Sequence, residues 1–378
     1  MTTEVPIVFI PGILSSQLYL PENGKKLWLS PSFLKNANRM AFSSPLDVKN
    51  NEINQQTVPR TRREKGMMMR EVFLIEKLCS AFPDRPVYYF SYDWRSCKNG
   101  AQKFAEFLSY LAGLGYETVD LVCHSMGGLV MSYYVSRRGF AHLRKIICLG
   151  VPFEGSPLME KLAVTGDINA IPNAVAEVFG LTKEIVTAYP SAAVLLPTKE
   201  YLSVYPLYRK GTPVSTEEAE AVFEACMPEV FSAARTFQHA VHMRAYKALL
   251  ENPDCYFGIG IGKDTAQTVS LEGGDKVKEY EGAAGDRDVP EYSATMCGRV
   301  EKTGFERCRK FDARHGELLR SAEPMDWVIS ILGDTEDPVK RGKAGEMKIK
   351  SKTKTKTKLK SKTKSKSKTK SILERQQT

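Results

Sequence analysis

Residues 119 to 128 read VDLVCHSMGG, a β-branched apolar run that breaks on a serine and ends in two glycines. Val119, Leu121 and Val122 suit a buried strand, and Leu129, Val130, Tyr133 and Tyr134 continue as a helix. A strand that reverses into a helix within a few residues needs a chain without side-chain bulk, which Gly127 and Gly128 provide. Such a turn lifts one side chain, Ser125, above the end of the sheet. It also sets the backbone N–H of Met126 at a helix N-terminus, where unpaired amides and the helix dipole favour a developing negative oxygen. Ser125 is therefore the candidate nucleophile. The usual form of this turn, G-x-S-x-G, has glycine where Cys123 stands here, a side chain small enough to fit. The blander reading is a strand-turn-helix corner whose serine caps the helix.

A serine hydroxyl is a weak nucleophile near neutral pH, so a histidine must take its proton and a carboxylate must hold that histidine in the right tautomer. In GAAGDRDVP, Asp286 follows a glycine-rich turn after a strand and precedes Val289 by three. Asp288 is its rival, and an Asp-rich surface turn is the plain alternative. Among the five histidines, His315 lies in RHGELLRSAEPMDWVISIL, a loop leading into a closing helix. His239 and His242 fall in an amphipathic stretch and read as surface or packing residues. His124 adjoins Ser125, but neighbours on such a turn point in different directions. The order Ser, Asp, His is the one α/β hydrolases use. After the first strand, IPGILSSQL offers a second amide at Ile13 for the same oxygen, although a plain turn explains that segment equally well.

Strand-like runs at Val5 to Ile10, Val87 to Ser91 and Lys145 to Leu149 alternate with helical patterns such as Lys103 to Leu114, which argues for a mostly parallel, doubly wound sheet. From about Gly155 to Leu250 the pattern changes to proline-interrupted apolar segments and a long amphipathic stretch, Thr216 to Leu250, broken near Pro228. Strand character returns at Cys255 to Ile261 and Thr268 to Leu271, followed by Gly/Asp-rich turns and a helix near Pro324 to Leu332. The expected division is a core at 1–154, an inserted, mainly helical cap at 155–250, the rest of the core at 251–337, and a tail at 338–378. With 378 residues and 42% hydrophobic content, the chain can bury a sizeable core.

The net charge of +10 belongs to that tail. Residues 339–378 hold sixteen Lys and Arg against two Glu, a net +14, so residues 1–338 carry −4. Lysine alternates with Ser and Thr from Lys348 to Lys370, a composition with almost no apolar residue and no means of forming a core, so the tail is expected to be disordered. The eight cysteines include no CxxC pair. They read as free thiols of a reducing compartment, with no metal site and no disulfide framework. No run approaches the roughly 18 to 20 apolar residues of a membrane span, and MTTEVPIVFIPG enters the first strand too soon for a signal peptide. A cytoplasmic location is the expectation.

Taken together, VFIPGILSSQL, KLWLS, SYDWRS, CHSMGGLV, LGVPFEGSP, TGDINAIP, YPSAAVLLP, GDRDVP and HGELL resemble the lecithin:cholesterol acyltransferase and lysosomal phospholipase family over about residues 5 to 332. The resemblance implies an α/β hydrolase fold, acyl-ester cleavage through an acyl-enzyme, transfer to an alcohol in some members, and no metal or organic cofactor. By position, Ser125 corresponds to the family nucleophile, Asp286 to its acid and His315 to its base. Ile13 and Met126 correspond to the amides of its oxyanion hole. Trp28, in Leu27-Trp28-Leu29, matches a region near the lid and membrane-facing surface. Phe153 replaces the tryptophan common in the family's PWGG segment and bears on the acyl groove. The family's secreted members close their lid with a disulfide, whereas the first cysteine here is Cys79, so a lid in this chain is held differently.

The expected activity is that of a serine-dependent lipid acyl-ester hydrolase or O-acyltransferase. The alternative is a catalytically silent hydrolase-fold scaffold held by its basic tail. Near an anionic leaflet each Lys contributes about 1 kcal/mol, so the tail offers peripheral attachment to a membrane. Nucleic acid is the weaker partner, because no aromatic residue is interleaved for base stacking.

Overall fold

Short, largely apolar runs form the inner strands of the central sheet, the pattern of strands covered on both faces. The computed structural model describes residues 4–28, 30, 37–49, 51–53, 69–167 and 181–334. Along the chain come β1 (Ile7–Ile10), β2 (Asn51–Ile53), β3 (Val87–Tyr89), β4 (Val119–His124) and β5 (Leu143–Leu149). They are followed by β6 (Tyr208–Arg209), β7 (Thr212–Pro213), β8 (Cys255–Ile261), β9 (Thr265–Gly273), β10 (Lys276–Gly282) and β11 (Cys308–Asp312). Seven of these strands make one sheet in the order β11-β8-β5-β4-β1-β3-β2. All its pairings are parallel except that of β2 with β3.

The longer helices are α1 (Met69–Ala81), α2 (Cys97–Gly113), α3 (Met126–Arg138), α4 (Pro157–Thr165), α5 (Thr216–Cys226), α6 (Phe231–Val241) and α7 (Ala322–Gly333). Alternate residues of β1 feed opposite layers. Val8 and Ile10 pack with Phe104 and Leu108 of α2 and Val130 of α3, while Ile7 and Phe9 pack with Leu74 and Leu78 of α1 and Val328 of α7. Each such fully buried side chain contributes roughly 1.5–3 kcal/mol relative to exposure. The polar residue inside β4, Asp120, is fully buried and bonded to Arg85 at 2.6 Å and to Arg144 at 2.5 Å. This is the α/β hydrolase architecture.

Between β5 and β8 lie α4, three short helices at Lys183–Thr187, Pro190–Val194 and Lys199–Leu202, the β6-β7 pair, α5, α6, a π-helical turn at His242–Tyr246 and a helix at Lys247–Glu251. The amphipathic stretch divides at residues 227–230, around Pro228, as its sequence requires. A second sheet, in the order β10-β9-β6-β7, joins this region to the chain after β8. Strand β10 arises where the composition reads as turns. Gly273 and Gly274, at φ 108° and 58°, close a hairpin whose second strand, Lys-Val-Lys-Glu-Tyr-Glu, is largely polar.

The described residues up to Leu332 form one compact unit. The lysine-rich tail, Leu29 and the end of TGDINAIP fall outside the described residues. Among the described residues no helix is long and apolar enough to cross a membrane. All eight cysteines are free thiols.

Candidate active site

Ser125 stands between the last residue of β4 and the first of α3, at φ 55° and ψ −132°. That conformation is strained for a residue with a side chain, and neighbouring contacts impose it. The Ser125 N–H donates to the Leu149 carbonyl at 2.9 Å, and Gly128 N–H donates to the Ser125 carbonyl at 3.0 Å. A Cβ on Gly127 would lie 2.3 Å from the Ile10 carbonyl oxygen, and one on Gly128 would lie 2.3 Å from Val151 Cγ2. Both glycines are therefore demanded by close approach, Gly127 to the end of β1 and Gly128 to the loop after β5. The Ser125 hydroxyl makes no capping bond to α3, contrary to the plain corner reading. Cys123, in place of the usual glycine, is fully buried between Ile10 of β1 and Cys148 of β5. Burial pushes its thiol well above the usual range, so it packs as a small neutral side chain.

His315 follows β11 and opens a 3-10 turn, His315–Leu319. Its Nδ1 lies 2.7 Å from Asp286 Oδ2, and its backbone N–H donates to the Asp286 carbonyl at 2.8 Å. The other carboxylate oxygen, Oδ1, accepts from the N–H groups of Val289 at 2.7 Å and Asp288 at 3.1 Å. Asp286 is 1% exposed and His315 6%. Since the Asp286 carboxylate is an acceptor, Nδ1 carries the proton and Nε2 is the basic nitrogen. Two glycines make room for this pair. A Cβ on Gly150 (φ 56°) would lie 3.0 Å from His315 Nδ1, and one on Gly260 would lie 2.5 Å from Asp286 Cβ.

The rival acid, Asp288, uses its carbonyl to accept from Ser156 Oγ at 2.7 Å. His124 is fully buried beside the pair: its ring centroid is 4.5 Å from that of His315, and its Nε2 lies 3.1 Å from the His315 carbonyl oxygen. His239 and His242 lie in α6 and the π-helical turn that follows it.

Ser125, His315 and Ile13 line one cavity of about 170 Å³, whose remaining walls are mostly apolar and include Leu14, Trp94, Leu158, Met159, Leu162 and Leu195. Gly12 passes so close to the serine that a Cβ there would be 2.9 Å from Ser125 Cβ and 3.3 Å from its Oγ. Met126, as the first residue of α3, has an N–H with no carbonyl acceptor in its own helix. Beyond His315 lies a second, polar cavity of about 540 Å³, with Glu279, Glu281, Arg287, Arg314 and Arg320 in its walls. Leu158, Asp288 and His315 border both.

Trp28 and Phe153, which the resemblance tied to the lid region and the acyl groove, do not line this cavity. Trp28 is 2% exposed, packs edge-on against Trp94 at 5.1 Å, and donates from Nε1 to the Leu14 carbonyl at 2.8 Å. It sits behind the wall and fixes the loop that carries Ile13. Phe153 is buried against Tyr246 and Phe257 at 5.5 and 6.1 Å, and its neighbour Pro152 faces the cavity instead. The tryptophan that does line the cavity is Trp94, whose signal was its place in SYDWRS. Metal-ligating groups converge at Glu154, Glu200 and Cys297, none of which lines the apolar cavity.

The family profile described as "Lecithin:cholesterol acyltransferase" matches residues 80–246. The chain is similar to that family over this stretch. Its match runs from the end of α1 through the serine turn and α4 to the π-helical turn. Among solved structures, that of a Tle4-Tli4 complex is similar over 88% of this chain and 99% of that one, at 13% identity and a TM-score of 0.58. A lipase of Bacillus licheniformis, BlEst2 in mature form, aligns over 88% of this chain and 93% of that one, at 12% identity and a TM-score of 0.39. No curated protein matches the chain. The family match over that stretch and the α/β hydrolase fold support an acyl-ester hydrolase or acyltransferase in the broad sense.

Proposed function

We propose that this protein is a serine-dependent hydrolase or O-acyltransferase of lipid acyl esters. The observation that carries the reading is one cavity bordered at once by a strained serine, by a histidine bonded to a buried aspartate, and by apolar walls. Ser125 Oγ attacks the ester carbonyl while His315 Nε2 takes its proton. Asp286 holds the imidazole and stabilises the imidazolium. The N–H groups of Met126 and Ile13 receive the negative charge of the tetrahedral intermediate. When it collapses, His315 returns the proton to the leaving alcohol and an acyl group remains on Ser125. Water or a second alcohol, activated by the same histidine, then releases it. The apolar cavity suits the acyl chain, and the polar cavity across His315 suits the alcohol portion. Residues 155–250 act as a cap over the acyl chain, since Leu158, Met159 and Leu162 of α4 and Leu195 all come from that segment.

Labelling of the purified protein with a fluorophosphonate tests this reading. Stoichiometric labelling of the wild type, lost in Ser125→Ala, is expected. A well-folded wild type that takes no label, with detergent present to open the cap, would instead favour the silent scaffold.

A further inference from the structure

Behind the loop that follows β5, four chain segments bring oxygen, sulfur and nitrogen donors together. Glu154 lies in that loop, Glu200 in the helix Lys199–Leu202, His242 at the start of the π-helical turn, and Cys297 just after the helix Glu291–Ala294. Carboxylate oxygens of Glu154 and Glu200 and the Cys297 sulfur all lie within 4.8 Å of one another. Glu154 is fully buried. Its Oε2 accepts from Thr198 Oγ1 at 2.6 Å, whereas its Oε1 has no hydrogen-bond partner. That oxygen faces the cluster, with Arg299 Nη1 at 3.8 Å and His242 Nδ1 at 4.0 Å, both beyond hydrogen-bond reach. A buried carboxylate oxygen without a donor is costly, and a cation placed on it offsets the cost.

We propose that Glu154, Glu200, Cys297 and His242 bind a Zn²⁺ ion. Zinc takes thiolate, imidazole and carboxylate ligands in tetrahedral array at about 2.0–2.3 Å, which sets neighbouring ligand atoms roughly 3.3–3.8 Å apart. The three clustered donors need to close by about 1 Å, within the reach of side-chain rotation at the half-exposed Glu200 and Cys297. Thiolate excludes Mg²⁺ and Ca²⁺ as preferred ions, and the two carboxylates disfavour Cu(I). Binding displaces the Cys297 thiol proton to solvent, with no change of oxidation state. His242, whose Nε2 is 3.4 Å from Glu200 Oε2 and whose Nδ1 faces Glu154, supplies the fourth ligand by turning its ring. Arg299, paired with Glu200 Oε1, is the internal cation with which the ion competes.

The site clamps a wall of the apolar cavity. Pro152 and Ser156, two residues to either side of Glu154, both line that cavity. The Glu154 N–H donates to Ser293 Oγ at 3.1 Å, and its carbonyl accepts from Thr198 N–H at 3.1 Å. An ion on Glu154 therefore ties this wall to three other segments. The inference does not depend on the chemistry of Ser125.

Titration of the untagged, metal-free full chain with Co²⁺ tests it. One equivalent is expected to give a thiolate-to-cobalt charge-transfer band in the near ultraviolet that Zn²⁺ abolishes by displacement. Cys297→Ser is expected to lose the band. Glu154→Gln, which keeps an acceptor for Thr198, is expected to weaken binding at least tenfold, and Arg299→Gln to tighten it. Ser125→Ala should bind as the wild type does. A wild type without a stoichiometric band, or a band that persists in Cys297→Ser, overturns the site. If Cys297→Ser does not fold, unchanged Co²⁺ affinity in Glu154→Gln overturns it alone.

Discussion

Glu160 gives the sharpest test of how α4 is held. The helix turns Leu158, Met159 and Leu162 toward the apolar cavity, while Glu160 is fully buried within the fold. Neither of its carboxylate oxygens has a hydrogen bond of ordinary geometry. Burial pushes its carboxyl from 4.5 up to about 8, and the opposing pull of the Val269 amide and the Arg235 guanidinium is too weak to offset it. A carboxyl whose folded-state pKa is raised keeps its proton in the folded protein after the unfolded chain has lost it. The resulting stability is present in full below about 4.5 and is lost as pH rises through about 8. At about 1.4 kcal/mol per unit, the loss between pH 6 and pH 8 is on the order of 2–3 kcal/mol. Glu160→Gln removes this titration while keeping the shape. Urea unfolding of both proteins from pH 5 to pH 9 measures it. The variant's advantage is expected to grow steadily with pH and to level off above pH 8. Glu154, which burial raises to about 7, titrates in both proteins and cancels from the difference. Parallel stability curves would refute the reasoning, because they would mean that Glu160 meets water or a donor that its burial denies.

Two further outcomes concern the reacting groups. Asp286→Asn is expected to lower kcat by about 10⁴, since Asn leaves His315 in the wrong tautomer. Asp288→Asn, whose residue holds Ser156 through its carbonyl, should cost less than tenfold; steady-state hydrolysis of a short-chain ester compares the two, and equal losses would remove Asp286 from its assigned role. Gly12→Ala places a methyl 2.9 Å from Ser125 Cβ, so fluorophosphonate labelling is expected to slow at least a hundredfold, with Tm lowered by the same crowding. Labelling at the wild-type rate would show that the loop after β1 yields.

The site residues that carry a local backbone demand were legible in the chain. A serine followed by two glycines announces a turn that nothing bulkier can make, and both glycines prove to be in contact with main chain or with Val151. Asp286 was separable from Asp288 only in space, because the two share one turn. The bond from His315 Nδ1 and the double acceptance from Val289 and Asp288 amides distinguish them. Trp28, between Leu27 and Leu29, and Trp94, between Asp93 and Arg95, gave no sequence signal that told wall from support. Their roles follow from which one faces the cavity and which one packs behind it. The hairpin strand β10 escaped notice for the opposite reason. Its residues alternate, but the side chains are mostly charged, and its pairing with β9 comes from backbone hydrogen bonds that no side-chain pattern records.

The same reasoning explains why a cysteine can stand two residues before the serine. A glycine is required at a turn when backbone presses on the Cβ position, as at Gly127, where a Cβ would meet the Ile10 carbonyl at 2.3 Å. Cys123 belongs to β4 and still pairs in register with Ile10 and Cys148. Its side chain points into the layer shared with Cys148 and Val130, where a small apolar group is accommodated. The sharp reversal begins one residue after the strand ends, at Ser125, where the conformational cost falls, and the two glycines of the helix provide the space. A substitution at 123 is thus a packing change in the core, whereas one at 127 or 128 moves Ser125.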